Sequence, residues 1–442
     1  MKIFLMATTL FFAAGFSRAQ TPLGLDEALH LARQNNLQLQ KQQQKQKIAE
    51  LEIAVKRGQR LPALDLSAIA SYTDEIAKLN IPIERFGLPS SPNFGQPSIE
   101  LGGHDRTDIA IGVRQPIFTG SKLRTQVELA QTALASEQTR LAVLNQQTAY
   151  QVYWLFYQAQ SLQKERKIQE ASLARLNVQL QQIRSLFGAA QVMAYDTLQV
   201  YNQTLQLKIQ MDQNQRDQRL VALQMARLLD LPETRPLAEM DLSKPPEFRS
   251  PLDSLKQMAM QRRRELSGVR LGQHSAQLSR KLAKANYFPD VGAEAKYHYG
   301  KPGLNQVAND WMDYGTVGVS LQWNLWRWNQ DRRRLEAAEV EYNRLTLEER
   351  ELLRSIDYEV ERSWENAGFA VKQIQLAERL LAQQEERYRI VNMQQREGVA
   401  TTNDVIVAEA DLTQAELQLQ RALIQYYLSQ SEILLATGAI AE

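Results

Sequence analysis

The side chains able to do chemistry are few and scattered. Four histidines, His30, His104, His274 and His298, lie in unrelated segments, without the short spacings that let imidazoles converge on a metal. There is no cysteine, which excludes disulfides, thiolate metal sites, a cysteine nucleophile and lipid attachment through a cysteine. No glycine-rich phosphate loop or nucleophile elbow is present. Two basic runs, "DRRR" (Asp331 to Arg334) and "QRRREL" around Arg263, read as solvated helix faces. A net charge of +2 over 442 residues gives no reason to invoke nucleic acid. The pattern points to no catalytic residue, no cofactor and no metal, so the elements themselves must carry the function.

The first element is removed. "MKIFLMATTLFFAAGFSRAQ" has Lys2, an apolar run from Ile3 to Phe16, then small residues at Ser17 and Ala19. That is a signal peptide, residues 1–19, cleaved after Ala19. The run is shorter than the roughly 18–20 residues that span a bilayer as a helix. The exported remainder offers no membrane helix, but a chain can also enter a membrane as strands, whose signal per segment is weaker.

The rest is written twice. "LDEALHLARQNNLQL" (Leu25–Leu39) precedes "LDSLKQMAMQRRREL" (Leu252–Leu266) by 227 positions, and Pro62, Leu64 and Tyr72 precede Pro289, Val291 and Tyr299 by the same interval. "QPIFTG" (Gln115–Gly120) answers "WNLWRW" (Trp323–Trp328). Residues 20–230 form a first repeat, the proline-rich 231–251 a linker, and 252–442 a second repeat, as in a duplication. Each repeat runs helix, strand, loop, strand, very long helix, tight turn, helix. From Ser121 to Phe187 there is no Gly or Pro, enough for a rod of roughly 100 Å at about 1.5 Å per residue. In the last helix Val405, Leu412, Leu419, Tyr426 and Ile433 recur every seventh residue, each followed three places on by Ala408, Ala415, Ala422, Ser429 and Ala436. Alternating large and small residues at that period make a coiled-coil seam.

Four segments alternate with period two instead: about 61–73, 107–118, 288–300 and 314–326. Leu64, Leu66, Ala68, Ala70 and Tyr72 share one face of the first, with Asp65, Ser67 and Ser71 opposite. In the second, Ile109, Ile111 and Val113 oppose Asp108 and Arg114. In the third, Tyr297 and Tyr299 oppose Lys296 and His298. In the fourth, Val319 and Leu321 oppose Ser320 and Gln322. A soluble sheet would need a globular core to cover, and the chain offers mostly rod. Phe118, Tyr287, Phe288, Trp323, Trp326 and Trp328 cluster where strands meet helices, as boundary aromatics of a lipid-facing barrel do. Four strands cannot close, and open edges in lipid strand backbone groups at several kcal/mol each. The chain therefore oligomerises. Two copies give a filled eight-strand barrel and three a twelve-strand barrel with a lumen, which the polar inward residues fit better.

The doubled plan, "LDEALHLARQNN", "QPIFTG" with "WNLWRW", and the turns "FGAAQVMAYDTL" and "EGVATTNDVI" together resemble the TolC-like outer membrane efflux proteins, over essentially the whole mature chain. The resemblance implies a mainly α fold. Long antiparallel coiled-coil helices form a trimeric α-helical barrel, and four strands per protomer complete a 12-strand transmembrane β-barrel. It implies a homotrimer in the outer membrane that reaches into the periplasm. There it would dock a periplasmic adaptor protein and an inner-membrane transporter as the exit duct of an efflux or type I secretion system. Carried residue by residue, the adaptor-docking tip falls on Gly398, Val399, Ala400, Thr401 and Thr402, and in the first repeat on Gly188, Ala189, Ala190 and Gln191. The first turn runs eight residues from Gly188 to Asp196 against six from Gly398 to Asp404, so the two tips look unequal. Some members narrow the closed pore with aspartate rings. Asp404 takes the first such position, Val407 stands where a second acid would be, and Asp196 supplies a carboxylate nearby, off the motif. Asp404 equally suits a helix cap after Thr401, Thr402 and Asn403. A poreless structural coiled-coil or adhesin protein of the cell envelope is the competing reading; the cargo is left open.

Overall fold

The computed structural model describes residues 22–80, 98–232, 234–242 and 251–440. The signal peptide, 1–19, lies outside the described residues, as do 81–97 of the long loop and part of the linker. The chain forms two compact units: residues up to 41, 141–264 and from 353 on in one, 42–140 and 265–352 in the other. No described helix is long and apolar enough to cross a membrane.

The duplication is visible in every element. Helices α1 (Leu25–Asn35) and α5 (Leu252–Arg262) are each 11 residues long, and α2 (Leu37–Gly58) and α6 (Arg264–Ala285) each 22. The long helices α3 (Lys122–Gly188) and α7 (Gln330–Arg396) each have 67 residues, and α4 (Ala194–Leu228) and α8 (Thr402–Ala436) each 35. The break that separates α1 from α2, unforeseen in the sequence, is made by Asn36. Its side-chain oxygen accepts from the Gln38 and Leu39 amides (2.9 and 3.2 Å) while its amide donates to the last carbonyl of α4, Leu228 (2.9 Å). Arg263 stands at the same place in the second repeat and donates to the last residue of α8, Ala436, at 3.2 Å, and to Glu359 at 2.7 Å. In both repeats a buried polar side chain at a helix break satisfies the frayed end of the repeat's final helix.

In the unit rich in helix, the core lies where α1, α3, α4 and α8 meet, around Val152, Phe156, Met225, Leu229 and Ile424. The seam of α8 is packed as its heptads require. Val405, Ala408, Leu412, Ala415, Ala422, Tyr426, Ser429, Ile433 and Ala436 are all buried. A strap from the linker crosses α3. Leu23 pairs in parallel with Leu237, and the wholly buried Gln160 donates to the Ala238 carbonyl (2.7 Å) and accepts from the Met240 amide (2.8 Å). One glutamine thus replaces two backbone partners that a packed strap would otherwise lack.

The other unit carries a four-stranded antiparallel sheet. Its strands are β1 (Ala63–Tyr72), β4 (Asp105–Phe118), β5 (Asp290–Lys301) and β6 (Met312–Gln322), in the order β1-β4-β5-β6. Between β1 and β4, β2 (Ala77–Asn80) and β3 (Ser98–Leu101) form a separate ribbon. The fourth strand, expected to run to residue 326, stops at Gln322, the partner of the first residue of β5. Beyond it the Trp323 indole donates to the Tyr287 carbonyl (3.1 Å), and Trp328 and Asn329 adopt left-handed backbone (φ 51° and 61°) that turns the chain into α7.

Candidate functional site

The first candidate surface is the sheet. Its register places Leu66 beside Ile111, Ile111 beside Tyr297 and Val113 beside Ala295, so the apolar residues of all four strands share one face. That face is uncovered: Leu66 is 75% exposed, Val317 87% and Leu321 65%. The other face holds a ladder of paired charges. Arg114 donates to Asp65 (3.2 Å) and lies 3.8 Å from Glu294, which also pairs with Lys296. His298 binds Asp108 (3.1 Å) and Thr316 (3.2 Å) and stacks on Tyr314, so it is held as a polar-face residue. Burying an apolar face against protein is what normally makes a sheet stable; here the apolar face is exposed and, among the described residues, both edge strands lack a further partner. Such a sheet needs an apolar solvent on one side, water on the other, and further strands at its edges.

The aromatics named from the sequence gather at one end of this sheet, all of them exposed. Phe118 meets Phe288 edge to face at 6.5 Å, Trp326 meets Trp328 at 6.1 Å, and Trp323 bonds Tyr287. A second set at the opposite end went unrecognised in the sequence. Tyr72 stacks on His104 (5.6 Å), Tyr299 on Trp311 (5.0 Å), and Tyr297 donates to Asp313 (2.6 Å). Tyr72, Tyr297 and Tyr299 were read as part of the apolar face; their place at its end was the signal available. Two aromatic girdles bracket one apolar band.

The second candidate is the pair of helix-to-helix turns. Both have five residues, 189–193 and 397–401, so the difference of eight against six disappears. A displacement of 208 positions carries Ala190 (φ 58°) onto Gly398 (φ 76°) and Asp196 onto Asp404. The left-handed position of the first turn is Ala190; Gly188 is the last residue of α3. The closing bonds also match, Gln191 to the Leu186 carbonyl at 2.9 Å and Val399 to the Gln394 carbonyl at 2.8 Å. Leu186 and Val192 pack on the cluster of Leu180, Ile183 and Val200, with Ile406 of α8 beside them. Asp196, expected to be off the motif, occupies the same third position of its helix as Asp404.

Asp404 is a cap in this structure. Its carboxylate accepts from the Thr401 amide (2.9 Å) and hydroxyl (2.7 Å), while its own amide donates to that hydroxyl (3.2 Å). The Thr401 hydroxyl and amide hold its carboxyl below the usual carboxylate range. Asp196 caps α4 more simply, accepting from the Met193 amide at 3.0 Å. Val399 is exposed.

Above the turns lies a network that the sequence reading missed. Glu409, its side chain 3% exposed, accepts from Ser172 (2.7 Å), Thr413 (2.9 Å) and Arg175 (3.1 Å), and Arg175 forks onto Glu416 at 3.0 and 3.2 Å. Nearby, the buried Gln179 and Gln395 bond at 2.9 Å. Glu409 sits one place past Ala408 of the seam, so only its inward place in the heptad could have marked it. Among the described residues no cluster of His, Asp or Glu could hold a metal. The His104 ring bonds the Thr73 carbonyl (2.9 Å), and His30 approaches Gln34 (3.4 Å).

The model of the family described as outer membrane efflux protein matches residues 28–227 and 255–439. The chain belongs to that family. Comparison with curated protein sequences returns no match. Among solved structures it is similar to the outer-membrane channel OprN, with a TM-score of 0.78 at 16% identity over 94% of this chain and 90% of that one. It is also similar to VceC of Vibrio cholerae (0.76, 17%, 95% and 97%) and to the CmeC channel of Campylobacter jejuni (0.76, 11%, 94% and 85%). At such identities the likeness concerns the fold, and the fold is that of the family's duplicated helical channels with a strand contribution to a β-barrel. The role that follows from membership is that of an outer membrane efflux channel, not of an enzyme.

Proposed function

We propose that three copies of this chain form a passive conduit, with a twelve-strand barrel in the outer membrane and a helical tube in the periplasm. An inner-membrane transporter would drive cargo through it by way of a periplasmic adaptor. The sheet carries this reading: a continuous uncovered apolar face, a polar face whose charges are internally paired, and two open edges are unstable in water and in an isolated chain. Helix α4 supports it, because Leu198, Tyr201, Leu205 and Ile209 remain exposed along it at coiled-coil spacing and call for a neighbouring copy. The adaptor would contact the tip around Gly398, Val399, Ala400 and Thr401 and its counterpart at 189–193. A ring of three Asp404 carboxylates, with Asp196 at the matching place, would narrow the pore and favour cations.

Planar-bilayer recording of the purified oligomer tests both levels. A discrete conductance is expected, rising and losing cation preference in Asp404→Ala. A pore unchanged by that substitution would remove the gate and keep the conduit. A well-folded oligomer without a pore would favour the structural coiled-coil reading.

A further inference from the structure

Four chain junctions meet at the aromatic end of the sheet: α2 into β1, β4 into α3, α6 into β5 and β6 into α7. Just past the aromatics, all four helix ends are cationic. A helix dipole welcomes cations at a C-terminus, which accounts for Arg57 in the last turn of α2 and Lys284 in that of α6. It opposes them at an N-terminus. Yet α3 opens with Lys122 and Arg124 and has no acid in its first turn, and α7 opens with Arg332, Arg333 and Arg334 against a single Asp331. Helices α4 and α8 obey the dipole, opening with Asp196 and Asp404. Helix electrostatics therefore explains the cations at two of the four junctions only.

Ion pairing explains part of the remainder. Arg124 reaches Glu128 (3.1 Å), and Arg332 and Arg333 share Glu336 (3.0 and 2.7 Å). Arg57, Arg60, Lys122 and Lys284 have no salt bridge among the described residues. What the four junctions share is their level, immediately beyond exposed rings that bound an apolar band. In lipid, that is the depth of the phosphates.

We propose that this collar binds anionic phospholipid headgroups of the leaflet on the helix side of the membrane, the rings lying at the hydrocarbon boundary and the four free cations on the phosphates. The proposal rests on the membrane placement given above. Each cation close to an anionic surface adds about fivefold to affinity, and salt screens the effect.

The full-length oligomer is reconstituted in brominated phosphatidylcholine with increasing brominated phosphatidylglycerol, and tryptophan quenching is followed. With Trp311 of the opposite girdle replaced by phenylalanine throughout, Trp323, Trp326 and Trp328 report the collar. The glycerol lipid is expected to be preferred about tenfold or more at low salt, and the preference to fade at about 1 M salt, where the screening length is ~3 Å. The variant Arg57→Gln, Arg60→Gln, Lys122→Gln, Lys284→Gln should bring the two lipids to near parity while keeping the quenching by phosphatidylcholine. If the fourfold variant does not assemble, its two halves, Arg57→Gln with Arg60→Gln and Lys122→Gln with Lys284→Gln, should each lose about half of the preference on a logarithmic scale. Equal affinities in the unaltered protein, or a preference that survives these substitutions, would overturn the proposal alone. Absence of quenching by either lipid would overturn the membrane placement together with it.

Discussion

Replacing Arg175 by methionine tests whether the network between α3 and α8 holds the helices together above the turns. The substitution keeps the length and apolar stem of the side chain and removes the cation. It leaves Glu409 inside the bundle with the Ser172 and Thr413 hydroxyls as its remaining donors, and Glu416 without its fork. Removing one member of a buried pair costs ~3–5 kcal/mol. Arg175 itself keeps a fifth of its side-chain surface, which places the expectation at the lower end, ~3 kcal/mol. At 1.4 kcal/mol per decade this is about a hundredfold in a local opening equilibrium. Burial would lower the Arg175 guanidinium, but the Glu416 and Glu409 carboxylates raise it overall, so it stays charged at any working pH. Amide hydrogen exchange reads the result. Peptides from Thr402 to Glu416 and around Arg175 should exchange about a hundredfold faster, while peptides near the start of α3 stay unchanged. Adding Glu409→Gln should recover most of the loss, because a neutral amide needs no counter-charge. A change below about threefold, or a double substitution as costly as the sum of its parts, would refute the reasoning.

Three smaller expectations follow from the same structure. Gly398→Ala places a β-carbon at φ 76° and should destabilise by ~1 kcal/mol in thermal unfolding, whereas Ala190→Gly at φ 58° should be neutral or stabilising. Asp404 has a lowered folded pKa, so its contribution is complete above its unfolded value and is lost as pH falls through the folded one; Asp404→Asn should abolish that acid dependence, read by thermal unfolding followed into acid. Lys164 and Lys167 pull Glu239 down to about 2, so the strap at 236–240 should loosen as pH falls below ~4.5, with Glu239→Gln loosening it already at neutral pH. Because Glu239 is 43% exposed, solvent screening limits that contribution to ~1 kcal/mol, read as faster proteolysis of the strap.

The repeat and the strand faces were legible because each rests on periodicity. A heptad or a two-residue alternation says which residues share one side of an element, and the register puts the alternating residues from Leu64 to Leu321 on common faces. The breaks at Asn36 and Arg263 were not legible, since each depends on a carbonyl nearly two hundred residues away. The Glu409 network was hidden for a similar reason. A glutamate beside a seam looks solvated until Arg175 and Ser172 of another helix are brought to it. The end of β6 was misplaced because Trp323 continues the alternation while its indole is already committed to Tyr287. The tips were compared by counting from glycine to aspartate, and glycine was the wrong mark. The conformation, not the residue type, is conserved between the repeats.

That last point separates the two tips in their energetics. Backbone and closing bonds coincide, yet the second tip has Gly398 where the chain turns left-handed and Thr401 as a capping hydroxyl, and the first has Ala190 and Met193. Methionine offers no oxygen to the helix start, and alanine pays a steric penalty that glycine does not. The first tip must be held by packing, through Leu186 and Val192 on Leu180, Ile183 and Val200. Substitutions should therefore act in opposite places. Thr401→Ala should cost ~1 kcal/mol through the lost cap, and Met193→Ala little. Val192→Ala should cost more than Val399→Ala, because Val192 is packed and Val399 stands exposed. Exchange rates in the first turns of α4 and α8 distinguish the two modes. Equal sensitivity of both tips to loss of the capping side chain would show that matching backbones do imply matching forces, and would remove the distinction.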